Sequence, residues 1–171
     1  MRVRNIIPDN YVEIDASTVT KSDIGKVKIR SFNKNPSTVN KCLIIMLWAY
    51  HLCKTTDNEL VLEIPLKIEK EKSSSLKFDM GIFHLPTRKY THFIEYDGFS
   101  GHFTDVKMIS NDVLKERFCL TVGVKLLRIS PKYSLNLYQL DNWFFNDTNL
   151  LSYFNSPDYN SRNELIHLLK I

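Results

Sequence analysis

The chain has 171 residues, of which 43% are hydrophobic and 25% charged, and a formal net charge of +4. That is the length of one domain with a sizeable core, and the balance is that of a globular chain rather than a disordered or low-complexity one. The mild basic excess suits an anionic partner without demanding one. Three cysteines, Cys42, Cys53 and Cys119, are odd in number and lack metal-type spacing. They argue against a disulfide framework and a zinc site, and point to buried free thiols in a reducing, intracellular compartment. Met1–Arg4 is not followed by a long apolar core, and the longest apolar run, 42–50, is too short to span a bilayer. A soluble protein with no membrane partner is expected. The Lys-, Asn- and Ile-rich usage suits an AT-rich genome such as that of a virus or phage, which would place the protein in host cytoplasm or nucleus.

In chain order, Tyr11–Ile14 and Val27–Arg30 read as short strands about a polar turn. This N-terminal arm, residues 1–35, carries Arg2, Arg4, Lys21, Lys26, Lys28 and Arg30. It is either a solvated strand face or an arm that contacts phosphate. Pro36-Ser37-Thr38 starts a helix over 38–54 that is apolar almost all round and so expected to be buried. His51 within it reads as a core or boundary residue. Residues 60–68 form a strand, with Pro65 marking an edge or a bulge. A polar tip at 69–75 leads to a strand over 76–83, and a turn at 86–89 to a strand over 90–96. A loop spans 99–110. A helix over about 111–122 is capped by Ser110 or Asp112 and closed by Gly123. Residues 124–129 are nearly all apolar, as befits the inside of a sheet. The aromatic-rich stretch 134–155 predicts one or two short helices, and Ser161 with Glu164 predicts a capped final helix to Lys170. One domain over 1–171 is expected, with a core at 36–130 and an aromatic helical segment at 131–171.

The chemistry gathers at strand ends. The antiparallel hairpin brings Asp79, early in one strand, beside Glu95, late in the next. Asp97 follows Glu95 at a spacing of two, on the same face if the strand continues. Two or three carboxylates within reach of one cation suit Mg²⁺, which takes oxygen ligands and keeps waters. A cation so held activates water and offsets charge on a phosphate. His102 can return from the loop as a base or phosphate contact. Asp112 and Lys115 sit behind on the helix, and Lys115 or Arg128 can reach phosphate. Asp97-Gly98 is equally a turn dipeptide, and Asp112 equally a helix cap. Glu95, set among Phe93, Ile94 and Tyr96, is harder to explain as scaffold, because burying an unpaired carboxylate is costly.

Four segments stand in a telling order: Phe78-Asp79-Met80-Gly81-Ile82; Phe93-Ile94-Glu95-Tyr96-Asp97-Gly98 with His102; Asn111-Asp112 with Lys115, Phe118 and Cys119; and Gly123-Val124-Lys125-Leu126-Leu127-Arg128-Ile129. Together they resemble the very-short-patch-repair-like branch of the PD-(D/E)xK nuclease superfamily, which includes related homing endonucleases. The resemblance covers 78–129. It implies an α/β (α+β), restriction-endonuclease-like fold, a mixed central sheet flanked by helices. It also implies a Mg²⁺-dependent endodeoxyribonuclease, with Mn²⁺ able to substitute, acting on DNA. On that basis Asp79, Glu95 and Asp97 would hold the metal, and Asp79, Glu95, Asp97, His102 and Lys115 would carry catalysis. Arg2, Arg4, Lys67, Lys77 and Arg128 would contact the nucleic acid. The family's usual lysine two residues after the acid is Asp97 here. The family often supplies a further acid from the N-terminal helix, but 38–54 contains none, and Glu59 or Glu63 would have to stand in. A compact site that cuts both strands often needs two copies, so a homodimer is the expected assembly. The alternatives are a nuclease fold that has lost catalysis and only binds nucleic acid or a protein, and an interaction protein whose aromatic segment is a partner surface.

Overall fold

The protein is seen here as a computed structural model, which describes residues 2–3, 14–15, 45–46, 48–66, 76–98, 101–130, 137–154 and 157–171. At the N-terminus β1 (Arg2–Val3) pairs antiparallel with β2 (Ile14–Asp15). Ile14 is thus in a strand, with Val3 opposite. The expected partner strand at 27–30 lies outside the described residues, as do Arg4, Cys42 and Lys67.

Helix α1 is described at 45–46 and 48–54. Ile45, Met46, Trp48, Ala49, Leu52 and Cys53 are buried. Tyr50 is only half-buried, and His51 and Lys54 are exposed. The expectation of a helix buried all round is therefore corrected. One edge faces water, where Lys54 Nζ sits 4.5 Å from the centroid of the Tyr50 ring, and His51 is neither core nor boundary. Mean apolarity along the run hid the polar stripe that 50, 51 and 54 form at helical spacing.

The main sheet has five strands in the order β3 (Asn58–Pro65), β4 (Lys77–His84), β5 (Lys89–Tyr96), β6 (Lys125–Ile129) and β7 (Leu151–Tyr153). The first three run antiparallel to their neighbours, whereas β5–β6 and β6–β7 are parallel. Pro65 lies at the end of the edge strand β3, where its missing N–H costs least. The central strands bury both faces. Ile94, Leu127 and Ile129 join Met80 and Ile82 under α1 and α4 (Leu137–Phe145). Phe93 and Leu126 pack on the other side with Phe78, Ile64 and Cys119 of α3 (Val106–Val122). Period-two alternation of Phe93/Ile94 and Leu126/Leu127 feeds both layers. The result is a mixed α/β chain with helices on both sides of the sheet. No helix among the described residues is long and apolar enough to cross a membrane.

Three boundaries differ from expectation. The stretch read as a loop holds α2 (Gly101–Thr104), and α3 starts at Val106. Its cap is Asp105, whose carboxylate accepts from Met108 N at 2.8 Å. Ser110 and Asp112 are interior helical residues, not caps. A capping side chain acts on the backbone two or three residues ahead, and Asp105 does so one turn or more before the two expected residues. Gly123 does close α3, in the left-handed conformation at φ 72°. Within 134–155, Leu151–Tyr153 is a strand, because β6 offers an open ladder edge that three residues can fill without any helix or strand signal of their own. The last helix, α5 (Pro157–Leu169), begins before the Ser161–Glu164 pair, with Pro157 at its first position. Cys53 and Cys119 are buried free thiols, as expected.

Candidate metal centre

Asp79 and Glu95 meet at one end of the β4–β5 hairpin. Met80 pairs with Ile94, so the residue before the one lies beside the residue after the other. Asp79 Oδ2 accepts from Tyr96 N at 2.8 Å, and the Asp79 and Glu95 carboxyls act on one another's ionisation. Asp79 as a residue is exposed, at the lip of the sheet, while its carboxyl is turned inward onto β5. Glu95 is 2% exposed. Lys115 reaches it from α3, Nζ to Oε1 2.7 Å, and lies 5.8 Å from the centroid of the Phe78 ring. That ring is stacked on Phe93 at 4.1 Å, so the layer beneath the lysine is rigid. Burial raises the Asp79 carboxyl above its usual range against the opposing pull of Tyr96 N–H and Lys115. Burial and the facing Asp79 charge push Glu95 well above its usual range, with Lys115 and Arg128 opposing.

Asp97 takes a different direction. The strand ends at Tyr96, and Asp97 N donates to Ile129 O at 2.8 Å. Its Oδ2 accepts from Arg128 Nε at 3.0 Å and from Tyr159 OH at 2.7 Å; its Oδ1 accepts from Arg128 Nη2 at 3.0 Å. The oxygens of Asp97, expected beside Asp79 and Glu95, are thus engaged by Arg128 and Tyr159: once the chain leaves the strand, a spacing of two no longer keeps side chains on one face. Arg128, expected to contact phosphate, is 1% exposed, and its guanidinium lies against Asp97, Asp112 at 2.8 Å and Glu116 at 3.6 Å. Those carboxylates hold it firmly in its charged form despite burial.

His102 comes over this second cluster. Its Nδ1 lies 2.9 Å from Asp112 Oδ2 and 3.5 Å from Asp97 Oδ1. Asp97, His102 and Asp112 offer ligand atoms within 4.8 Å of one another, but Arg128 already bonds both carboxylates, so a cation is built in. Three members went unnoticed in the sequence: Glu116, Tyr159 and Arg162. Arg162 is fully buried and bonds Glu116 Oε1 at 2.6 Å. Glu116 stands four after Asp112, on the same helical face, and that spacing was the available signal. Tyr159 and Arg162 come from α5, and nothing local in the sequence marks them.

The remaining expected residues are spread out. Lys77 is exposed at the start of β4, and Arg2 lies in β1. Glu59 pairs opposite Phe83. Glu63 falls between the pairs Leu62–Met80 and Ile64–Phe78, opposite Asp79, with φ 50°.

Mg²⁺ seeks oxygen ligands and keeps several waters. Asp79 and Glu95 offer facing carboxyls, one at an exposed lip, with Lys115 bonded to Glu95, and such oxygens fit that demand. In the Asp97 cluster Arg128 already bonds both Asp97 and Asp112, so those oxygens are engaged. Compared with family models, curated proteins and solved structures, the chain matches none.

Proposed function

We propose that this chain is a metal-dependent DNA endonuclease built on a restriction-endonuclease-like core. The observation that carries the reading is the convergence of Asp79, Glu95 and Lys115, the last two 2.7 Å apart. Asp79 and Glu95 would hold Mg²⁺ or Mn²⁺. The ion, when bound, supplies an activated water and offsets charge on the scissile phosphate. Tyr96 N–H fixes the orientation of Asp79. Lys115 donates from Nζ to Glu95 Oε1, favouring its charged form, and would be the cation closest to a phosphate docked at the pair. His102, oriented through Nδ1 by Asp112, is the group able to move a proton at its other ring nitrogen. Arg128 acts through Asp97 and Asp112 and positions the loop that carries His102.

The test is cleavage of plasmid DNA in Mg²⁺, with Asp79→Ala beside the native chain. Cleavage by the native chain alone is the expected result. Cleavage surviving in Asp79→Ala removes the proposed site. A native chain that shifts DNA in a gel but never cuts it replaces this reading with a nucleic-acid-binding module. A crystal soaked in Mn²⁺ should show density between Asp79 and Glu95.

A further inference from the structure

A separate cleft of about 190 Å³ opens between α4 and the β7 edge. Tyr138, Trp143, Tyr153 and Phe154 supply its rings. Gln139, Asn142 and Asp147 supply its polar edge. Drug-sized ligands occupy roughly 300–1,000 Å³, so this cleft suits one flat ring system.

The polar groups specify more. Trp143 is 2% exposed, yet its indole Nε1 is buried and has no hydrogen-bond partner. A buried donor left without an acceptor is costly and asks for one. Its ring is otherwise well held: Lys125 Nζ lies 5.4 Å from its centroid, and His92 meets it edge-on at 5.1 Å. Gln139 is exposed, and its amide is engaged by nothing among the described residues. Asn142 Oδ1 accepts from Asn146 Nδ2 at 3.1 Å, which turns its own amide N–H donors toward other acceptors. Asp147 stays anionic. Burial opposes its charge, but Asn149 N–H, Ser152 and Lys125 outweigh burial and hold its carboxyl below the usual range. An anion at the rim disfavours a phosphate inside. The lining thus suits a neutral aromatic ring with hydrogen-bonding edges.

We propose that this cleft binds a single nucleobase, with adenine preferred. Aromatic rings provide stacking, which any base accepts. The Gln139 amide matches the paired donor and acceptor of adenine, and Asn142, its oxygen bonded to Asn146, adds N–H donors. The cleft sits at the β7 edge, on the side of the sheet covered by α4, whereas Glu95 and Lys115 lie on the side covered by α3. Tyr153 packs on Tyr159 at 5.0 Å, and Tyr159 donates to Asp97. The base would come from a free nucleoside or from a nucleic-acid strand, and only the second source rests on the nuclease reading.

The experiment measures binding, with chelator present so that no cleavage is needed. The full chain is titrated with adenosine, with a short oligo(dA) strand and with an abasic strand of the same length, following tryptophan emission. Quenching by oligo(dA) and none by the abasic strand is expected. Quenching by adenosine as well assigns the cleft to free nucleosides too; quenching by oligo(dA) alone assigns it to a base on a strand. Tyr138→Ala and Gln139→Ala, both at exposed positions, should each weaken binding about tenfold while circular dichroism and melting stay unchanged. Equal quenching by the abasic strand, no quenching by any probe, or native affinity in both variants overturns the proposal. Quenching without plasmid cleavage in Mg²⁺ overturns the nuclease reading alone.

Discussion

Two acidic clusters stand side by side in this molecule, and they hold their carboxylates in different ways. Asp79 and Glu95 face each other with one lysine between them. Asp97 and Asp112 are joined by an arginine, with His102, Tyr159, Glu116 and Arg162 around it. The first is built from β4, β5 and α3, and the second from the end of β5 with β6, α2, α3 and α5. The first sets one lysine against two carboxyls and opens at the lip of the sheet. The second sets two arginines against three carboxylates and is closed. Both leave one carboxyl in excess, so access and existing arginine bonds separate them, not the net charge.

The largest effect should come from breaking the closed cluster. Arg128→Met leaves Asp97 and Asp112 buried without their cation. Removing one partner of a buried pair typically costs about 3–5 kcal/mol, so urea unfolding should show most of the stability gone or no folded protein. A loss below about 1 kcal/mol would mean that the cluster is wetter and weaker than its geometry implies.

Next comes the open cluster. Glu95→Gln should abolish Mg²⁺-dependent cleavage, by at least about 100-fold, while the fold survives, since it removes one of two facing charges. Plasmid nicking and thermal melting measured on the same sample separate the two effects. Loss of folding with this variant would place Glu95 in the structural class of Asp97.

The clusters should also answer pH in opposite senses. Glu95 is raised well above its ordinary 4.5, so the folded state holds a proton that the unfolded chain releases near that pH. Its contribution to stability is full below 4.5 and is lost as pH rises through the raised folded value. Asp112 is lowered below its ordinary 3.8: burial alone would raise it, but bonds from His102 and Arg128 and their charge prevail. Its contribution is full above 3.8 and is lost as pH falls through the depressed value. With chelator present, melting temperature should therefore decline on the alkaline side, and Mg²⁺ should restore it more at about pH 8 than at about pH 5. Equal Mg²⁺ shifts at both pH values would disconnect the ion from this pair.

The smallest effect lies outside both clusters and calibrates them. Gly123→Ala meets no atom within 4 Å, so only the left-handed backbone at φ 72° is strained. A loss of about 1 kcal/mol in urea unfolding is expected, with cleavage unchanged.

Much of this was legible from the residues alone. The strands on either side of the 86–89 turn and the buried strand ending at Ile129 were readable because their apolar pattern is local. So was the meeting of Asp79 with Glu95, because a hairpin joins strands that are consecutive in the chain. The C-cap at Gly123 was readable because few residues accept positive φ. The start of α3, the strand at Leu151–Tyr153 and the exposure of His51 were not. The first depended on which of several capping residues won, the second on an open ladder edge, and the third on which way a helix rolled.

For the site, the sequence by itself determined that carboxylates would gather at the ends of β4 and β5, because register along a hairpin is a short-range property. Only the tertiary structure decided which of them are spoken for. Arg128, expected to contact phosphate, lies buried against Asp97, because Asp112, Glu116 and Tyr159 arrive from α3 and α5 to complete the cluster. Charge partners distant along the chain leave no mark on local pattern, and electrostatic pairing is settled by distance in space.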